Sequence, residues 1–404
     1  MSTTAEDDLP LAGLRILSIE QYGAGPFATQ HLADLGAEVI KIENPHEGGD
    51  VGRLVGPHFL DASGQRDSLF FEAFNRNKRS IGLDLKAQDG TEVLHALVRG
   101  ADAVFDNLRG DLPARLGLDY AALGRVNQRV VCVHLSAYGR IGPRAAWPGY
   151  DYLMQAEAGY LALTGEPDGP PARMGLSIVD LATGTTAAMA LLAAVIQARR
   201  TGRGRDIDVS LYDVALHHLT YVGTWYLNNG VVTTREARSS HPTLTPSQLY
   251  PTGNGWIFVM CQKEKFFRIF AELVGHPEWL QDPIFATFAA RLANRPRVNA
   301  AIDAALSERT TEAWLELLGG KVPVAPVHDV RTALESPHAA PQIADYAHPL
   351  HGKVRDIESP VRIAGAAMPH RAAPALGQDT EAVLTTAGLS LETIADLRAR
   401  GVLA

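Results

Sequence analysis

The sequence contains little cysteine. Cys132 and Cys261 stand far apart among 404 residues, and neither forms a C-x-x-C pair or the ligand spacing of a zinc site. This excludes a disulfide-based scaffold and a cysteine-based metal centre. We expect two buried free thiols in a protein of the reducing cytoplasm, and no metal site.

The sequence also has no excess of positive charge. It carries 37 Lys and Arg residues against 45 Asp and Glu residues, a formal net charge of −8. Because a nucleic-acid-binding protein needs a broad basic surface, we expect no nucleic-acid partner. A small acidic substrate has to be held by a few locally placed arginine or lysine side chains.

No apolar run is long enough to cross a membrane. The longest, residues 187–196, is much shorter than the roughly 20 residues that a bilayer-spanning helix needs. The acidic residues 1–10 have neither the basic nor the apolar region of a secretory signal. We therefore expect a cytoplasmic protein with no membrane partner.

Common catalytic signatures are missing as well. The sequence has no H-E-x-x-H, no G-x-S-x-G and no P-loop. This excludes the usual designs of zinc metalloproteases, α/β-hydrolases and phosphate-binding loops. The chemistry has to be sought in less common patterns.

Strand-like and helix-like segments alternate through the first half of the chain. Apolar, β-branched runs are typical of buried strands, and amphipathic helical patterns lie between them. The runs lie at residues 14–20, 37–43, 80–85, 101–108, 129–138 and 205–211. This alternation predicts an α/β fold with a Rossmann-like large domain and a mostly parallel sheet.

The pattern changes near Gly230. Prolines interrupt the chain, and a turn at residues 253–255 predicts a hairpin followed by several helices. We expect a smaller α+β domain at residues 228–325. The large domain then consists of residues 1–227 and of residues 326–404, which return to it.

A glycine-rich turn follows the first predicted strand. Gly23 and Gly25 resemble the start of a dinucleotide-binding motif, and Glu43 lies about 20 residues further on, where an acid would bind a ribose. Against this, Pro26 has no backbone N–H to offer a pyrophosphate. A tight reversal of the chain explains the same glycines, so an NAD-binding Rossmann protein is an alternative.

A single carboxylate interrupts the stretch MGLSIVDLATG at residues 174–184. Asp180 stands where an apolar run meets a long helical pattern, and Asp is a favoured helix N-cap residue. A carboxylate at a helix N-terminus can also act as a covalent nucleophile toward an acyl carbon, with Gly175 and Gly184 leaving room for a ligand. Position alone leaves both interpretations open.

Several segments together resemble the class III coenzyme A transferases, the CaiB/BaiF family that includes formyl-CoA:oxalate and carnitine CoA-transferases. They occur in the family's order over nearly the whole chain. The segments are residues 11–45, 74–86, 101–120, 163–194, 199–213 and 374–384.

The resemblance implies an enzyme that moves coenzyme A from an acyl-CoA donor to a carboxylic acid acceptor. Asp180 occupies the position of the family's nucleophile, which forms an aspartyl anhydride and then an aspartyl thioester. The resemblance also implies an interlocked homodimer, with coenzyme A as substrate and no permanently bound cofactor. The expected exchange is between succinyl-CoA and a C4 to C6 diacid, because the second carboxylate of such an acceptor would suit Arg53, Arg76 or Arg173.

The resemblance further implies a set of coenzyme A contacts. They are Gly23, Ala24, Leu83, Lys86, Asn107, Arg115, Leu116 and Tyr138. Asn44 and Ser136 stand where some members of the family have Arg and Lys, so the phosphate contacts are expected to differ.

The related α-methylacyl-CoA racemases are the alternative within the same fold. They resemble this chain but have a histidine in a G-H-D segment, where this sequence has Gly149, Tyr150 and Asp151. A phenol stays protonated at neutral pH and does not replace the imidazole as a base. This difference favours a transferase over a racemase.

Overall fold

The structure, a computed structural model, describes residues 8–60, 66–348 and 352–404. Residues 1–7, on which the expectation about a secretory signal partly rests, lie outside this part. The strands are β1 Arg15–Ile19, β2 Glu38–Glu43, β3 His58–Leu60, β4 Arg66–Ser68, β5 Arg79–Gly82, β6 Ala103–Asp106, β7 Val131–Ser136, β8 Asp206–Ser210, β9 Gln248–Pro251, β10 Trp256–Val259, β11 Val324–Pro326, β12 Ile343–His348 and β13 Gly352–Ile357. The α-helices are α1 Ala24–Asp34, α2 Leu69–Asn75, α3 Gln88–Val98, α4 Leu112–Arg115, α5 Tyr120–Leu123, α6 Asp151–Glu157, α7 Ile178–Thr201, α8 Leu211–His217, α9 Thr220–Asn229, α10 Glu264–Leu273, α11 Phe288–Ala293, α12 Arg295–Leu306, α13 Thr311–Leu318, α14 Val330–Leu334, α15 Thr380–Thr386 and α16 Leu391–Ala399.

The chain divides into two compact units. The first consists of Met1–Ala158, Leu176–Leu219 and Pro341–Ala404, and the second of Gly159–Gly175 and Thr220–Ala340. The segment predicted as the small domain, residues 228–325, falls within the second unit. The domain limits inferred from the sequence stay a prediction.

A six-stranded parallel sheet forms the centre of the first unit, in the order β5-β2-β1-β6-β7-β8. Its inner strands are covered on both faces, which is why Leu17, Phe105 and Val133 are fully buried on neighbouring strands. The predicted α/β class with a parallel sheet is confirmed.

The strand order places a binding crevice. From β1 the chain proceeds to β2 on one side, whereas β6 lies on the other side of β1. The carboxyl ends of β1 and β6 are adjacent, with Ile19 paired to Asp106. In open α/β sheets ligands bind at this switch point, so the loops after β1 and β6 are the expected site.

The end of the chain completes the far edge of the sheet, at β5. The backbone N–H of Ser80 donates to the Asp379 carboxylate at 2.9 Å, and that of Gly82 donates to the Thr380 hydroxyl at 3.1 Å. A Cβ on Gly82 would lie 2.4 Å from the Cβ of Ala404. β5 therefore depends on the last segment of the chain.

The second unit has a core of its own. An antiparallel sheet in the order β11-β10-β9 packs against helices, with Tyr250, Phe267, Phe270 and Trp314 buried between them. The predicted hairpin corresponds to β9 and β10. This arrangement is α+β.

Helix α7 is long and apolar enough, by length and composition, to cross a membrane. The uninterrupted apolar run at residues 187–196, on which the sequence expectation rested, understates the apolar length of this helix. Half of its most apolar window is buried inside the protein, and a core helix meets the same length and composition criteria as a membrane span. Its first turn carries Asp180.

Candidate active site

The turn after β1 is clamped to the end of β6 by one side chain. The amide oxygen of Asn107 accepts the backbone N–H of Gln21 at 2.9 Å, and its amide nitrogen donates to the Gln21 carbonyl at 2.7 Å. A Cβ on Gly25 would lie 2.8 Å from Cγ of Asn107. The glycine therefore allows the close packing of α1 against Asn107.

This packing contact explains the glycines of the dinucleotide-like motif without any role for a bound nucleotide. Glu43, which would bind the ribose, is 3% exposed, and Arg53 donates two hydrogen bonds to its carboxylate. Although burial alone raises it, the Arg53 guanidinium lowers the pKa of Glu43 to about 2. A carboxylate occupied in this way is not available to a ribose hydroxyl.

Two buried ion pairs also hold the turn after β1. The Lys41 ammonium lies 2.8 Å from Oδ2 of Asp50, and the Lys78 ammonium lies 2.8 Å from Oε1 of Glu20. All four side chains are buried, and burial lowers the pKa of Lys78 to about 8. Because separating such a pair would leave a buried charge unpaired, the two ion pairs hold the turn in one conformation.

A second buried network fixes the end of β6. His134 on β7 lies between two carboxylates, 2.6 Å from Asp106 and 3.0 Å from Asp206. Although burial alone lowers it, the hydrogen bonds to Asp106 and Asp206 raise the pKa of His134 to about 9. The other oxygen of Asp106 accepts the N–H of Leu108 at 3.3 Å, so the network holds the loop that carries Asn107. Within the described ranges no group of His, Cys, Asp and Glu residues is arranged to hold a metal ion.

Asp180 lies in the first turn of α7 and faces the turn after β1. Its side chain is 7% exposed, and a Cβ on Gly23 would lie 3.1 Å from its Oδ2. One turn further along, a Cβ on Gly184 would lie 2.6 Å from the carbonyl oxygen of Ala24. The two glycines let α1 and α7 approach closely enough to place Asp180 beside the turn.

Another carboxylate caps α7. Oδ2 of Asp151 accepts the backbone N–H of Val179 at 2.7 Å and that of Asp180 at 3.0 Å. The helix begins at Ile178, with Ser177 as its N-cap residue. Asp180 is the third helical residue, so its interpretation as the N-cap is wrong, and its side chain is left for another role.

The environment of Asp180 disfavours its charge. Burial raises the pKa of Asp180 from 3.8 to about 7, and the Asp151 carboxylate adds to the rise. No hydrogen bond to its carboxylate is formed in the described part of the chain. A desolvated carboxylate that titrates near neutrality is a feature of functional sites.

Asp180 lines a pocket of the first unit with a volume of about 180 Å³. Sites for drug-sized ligands typically measure about 300–1,000 Å³, so this pocket suits the reacting end of a larger molecule. Two tyrosines, Tyr22 and Tyr150, and Arg109 also line it. Its wall comes from the loops after β1, β6 and β7 and from the first turn of α7.

Some of the predicted coenzyme A contacts meet at this pocket. Gly23, Ala24 and Asn107 line it. Tyr138 lies beside it, since its ring packs 6.1 Å from that of the pocket residue Trp147. These contacts and Asp180 are brought together by the fold.

The remaining predicted contacts do not line the pocket. Leu83 is buried in the core and Leu116 packs against it, whereas Lys86 and Arg115 are exposed and paired with Glu47 and Asp111. All of them follow the carboxyl ends of β5 and β6. From β5 to β7 this edge spans four strand spacings, about 19 Å, so the set fits only an elongated ligand. Its assignment to coenzyme A stays a prediction.

The arginines expected to hold a second carboxylate are engaged elsewhere. Arg53 binds Glu43, and Arg76 is buried against Asp34 and Asp356. Arg173 belongs to the second unit. Neither Arg53 nor Arg76 lines the pocket, because each is paired with a buried or half-buried carboxylate.

Sequence reasoning missed three side chains of this site: Asp151, Tyr22 and Arg109. Asp151 stands in the G-Y-D segment that was compared with the racemases, but its distance from Asp180 in sequence hides its role as the cap of α7. The arginine of the N-L-R-G segment could have been noted, because that segment directly follows a predicted strand.

Comparison with known proteins gives consistent similarities. A profile described as "CoA-transferase family III" matches residues 11–380. A succinate–glutarate CoA-transferase of Agrobacterium fabrum is 35% identical over 331 residues, covering 81% of this chain and 82% of the relative. An acetyl-CoA:oxalate CoA-transferase of Acetobacter aceti is 34% identical over 371 residues, covering 91% and 93%. The crystal structure of a CAIB/BAIF family protein from Brucella suis superimposes with a TM-score of 0.80 at 32% identity, covering 94% of this chain and 99% of that one.

Proposed function

This chain belongs to CoA-transferase family III and moves coenzyme A between an acyl-CoA and a carboxylic acid, and on that premise we propose that Asp180 is the nucleophile and that short dicarboxylic acids are exchanged. The family and activity expected from the sequence motifs are confirmed. The observation that carries the proposal is the buried Asp180 carboxylate, which lines the pocket and accepts no hydrogen bond from the residues that the structure describes.

Asp180 takes up the acyl group in the first step. A carboxylate oxygen attacks the thioester carbon of the donor, the C–S bond breaks, and coenzyme A leaves as a thiolate. The product on the protein is a mixed anhydride. Burial favours the attack because the ionised carboxylate is poorly solvated and therefore reactive.

Coenzyme A then passes through the protein. The thiolate attacks the Asp180 carbonyl of the anhydride, releases the donor acid and leaves an aspartyl thioester. An acceptor carboxylate attacks that thioester and gives a second anhydride, from which the thiolate takes the acceptor acyl group. Asp180 is regenerated, and one thioester has replaced another.

The N-terminus of α1 supports these steps electrostatically. Gly23 and Ala24 line the pocket where this helix begins, and N–H groups in a first helical turn have no acceptor within the helix. They would donate to the oxyanion that forms at each carbonyl.

Arg109 is the group that we assign to the distal carboxylate of a diacid. It lines the pocket, and Asp111 binds its Nε at 2.5 Å and its Nη2 at 3.0 Å. This leaves the Nη1 edge of the guanidinium for a second carboxylate. Relatives that are named for succinate and glutarate support such an acceptor, and a relative named for succinyl-CoA and glutarate supports succinyl-CoA as the donor.

Chemical trapping tests the nucleophile. The protein is incubated with succinyl-CoA and treated with hydroxylamine or borohydride, and the peptides are analysed by mass spectrometry. We expect modification of the peptide that contains Asp180, and its loss in Asp180→Asn. Asp180→Asn protein that exchanges coenzyme A as fast as the parent contradicts the proposal.

A panel of CoA thioesters and acids identifies the donor and acceptor. In that panel Arg109→Gln should raise the KM for dicarboxylic acceptors about tenfold or more, because a charged hydrogen bond is lost, and leave monocarboxylic acceptors unchanged. Arg99→Gln, which replaces an exposed arginine outside the pocket, is the matched control. An equal rise for both kinds of acid refutes the role of Arg109.

We also propose that the protein acts as an interlocked homodimer in the cytoplasm. The dimer is supported by two exposed apolar side chains of α7, Met189 at 65% and Ile196 at 69%. The cytoplasmic location is supported by Cys132 and Cys261, which are free, buried thiols. Large exposed apolar side chains on one helix are typical of an interface. Analytical ultracentrifugation showing a monomer at micromolar concentration refutes the dimer, and subcellular fractionation tests the location.

A further inference from the structure

Tyr22 has an unusual backbone conformation. Its φ is +69°, in the left-handed region that a residue with a Cβ enters only at a cost in free energy. Such a conformation persists only where the surroundings impose it, and it is most often found at functional sites. The position therefore calls for a reason specific to this side chain.

The surroundings of Tyr22 do impose this conformation. Its backbone N–H donates to Oδ1 of Asp50 at 2.8 Å, and the same oxygen accepts the N–H of Gly52 at 2.7 Å. Asp50 is 3% exposed and is paired with the buried Lys41. On the preceding residue, Gln21 is held by Asn107 through two hydrogen bonds. The turn is fixed from both sides.

The strained turn places Tyr22, which is 37% exposed, in the lining of the pocket. Tyr22 and Tyr150 both line it, and their rings meet edge to face with 6.1 Å between centroids. Phe70 supports Tyr22 from behind at 4.9 Å. The next residue, Gly23, lies against the carboxylate of Asp180. The ring is thus tied to the same rigid segment that contacts the nucleophile.

We propose that Tyr22, with Tyr150, forms an apolar wall that keeps water from the acylated Asp180, and that Tyr22 thereby sets the ratio of acyl transfer to hydrolysis. The inference rests on the proposed role of Asp180. In the competing reaction, a water oxygen attacks the carbonyl carbon of the aspartyl thioester, the C–S bond breaks, and coenzyme A leaves as the thiol. Asp180 is regenerated as a carboxylate with release of one proton, and no acceptor receives coenzyme A.

The two polar hydroxyls do not alter this assignment. The faces and edges of the rings supply the apolar area, whereas a role of the hydroxyl in binding the acyl group would require the oxygen itself. The variants Tyr22→Phe and Tyr22→Gly separate the two roles, because the first removes only the oxygen.

The position makes the test selective. Glycine adopts a positive φ without strain, so Tyr22→Gly removes the ring while the backbone keeps its conformation. We expect its thermal midpoint to stay close to that of the parent, because relief of the backbone strain offsets the lost ring contacts with Phe70 and Tyr150. Tyr226→Ala, at a 58% exposed tyrosine of the second unit, serves as the control for loss of an exposed aromatic ring.

The experiment uses the full chain and the donor and acceptor that the parent turns over fastest in the panel. Release of free coenzyme A without acceptor gives the hydrolysis rate, mass spectrometry gives the transfer rate, and trapping reports acylation of Asp180. Tyr22→Gly should raise the ratio of hydrolysis to transfer about tenfold. Tyr22→Phe and Tyr226→Ala should stay within about twofold of the parent.

The outcomes separate this inference from the proposed function. If Asp180 is acylated and Tyr22→Gly has the parent's ratio, the wall is refuted while the nucleophile stands. A raised ratio in Tyr22→Phe assigns the effect to the hydroxyl and overturns the inference as well. If Asp180 is not acylated in the parent, the proposed function fails and this inference fails with it.

Discussion

Replacing the proposed nucleophile should stabilise the protein, and the gain should depend on pH. Burial and Asp151 raise the pKa of Asp180 from 3.8 to about 7, so the folded state binds this proton more tightly than the unfolded state. Stability then falls as the pH rises from 3.8 to 7, and the full cost is present above pH 7. Asp180→Asn removes the titrating group and with it this cost.

The size of the effect follows from the same values. A tenfold change in a proton equilibrium corresponds to about 1.4 kcal/mol, so the ionised carboxylate costs up to about 4 kcal/mol at high pH. At pH 5 most of that cost is still absent. The advantage of Asp180→Asn over the parent should therefore grow by about 2.5 kcal/mol between pH 5 and pH 8.

Urea unfolding followed by tryptophan fluorescence at both pH values measures this difference. Asp168→Asn, at an exposed aspartate of the second unit, is the control and should keep the parent's midpoint at each pH. The reasoning is refuted if the offset between Asp180→Asn and the parent is the same at pH 5 and at pH 8. It is also refuted if Asp180→Asn is the less stable protein at pH 8.

Three further predictions concern the support of the site. Asp151→Asn removes the charge that helps to raise the pKa of Asp180, so the loss of kcat/KM toward acid, centred near pH 7 in the parent, should move to lower pH; a pH–rate profile that stays in place contradicts this. Gly184→Ala forces a Cβ to within 2.6 Å of the Ala24 carbonyl, and we expect a loss of about 1–3 kcal/mol in urea unfolding and a lower kcat, whereas Thr185→Ala at the next, exposed position should match the parent. His134→Asn leaves the buried Asp106 without its partner and should lower the free energy of unfolding by about 3 kcal/mol at pH 7. Because the pKa of His134 is raised from 6.5 to about 9, the parent should lose this stabilisation as the pH rises toward 9. A cost of the substitution that is constant from pH 6 to pH 10 would count against the ion pair.

Much of the sheet could be predicted from the sequence. The predicted strand at 14–20 encloses β1, because a buried parallel strand needs a continuous apolar, β-branched run. The predicted strand at 205–211 encloses β8, an edge strand in which polar and apolar residues alternate. Element limits were less predictable. The sequence of residues 211–230 has the pattern of one helix, but the structure has two: α8 ends at His217, and α9 starts at Thr220 with a φ of +43°. Residues 322–330 have strand character in the sequence, but β11 covers only Val324–Pro326, and α14 begins at Val330 with Asp329 as its N-cap.

The site was predictable only in part. Asp180 stands out because a charge interrupts an apolar pattern, and Asn107 follows a strand whose carboxyl end lies at the switch point. Asp151 could not be found in this way, since its partners Val179 and Asp180 lie 28 and 29 positions further along the chain. Contacts of this kind depend on tertiary packing, which periodicity does not encode.

The attachment of the last segment to β5 has a consequence for synthesis on the ribosome. The sheet edge that Asp379, Thr380 and Ala404 complete is made among the first 82 residues, and the chain of residues 220–340 emerges in between. At about 5–20 residues per second, that middle stretch alone takes about 6–24 seconds. For this time β5 is paired with β2 on one side only, and the backbone N–H groups of Ser80 and Gly82 lack their acceptors until Asp379 and Thr380 have been made.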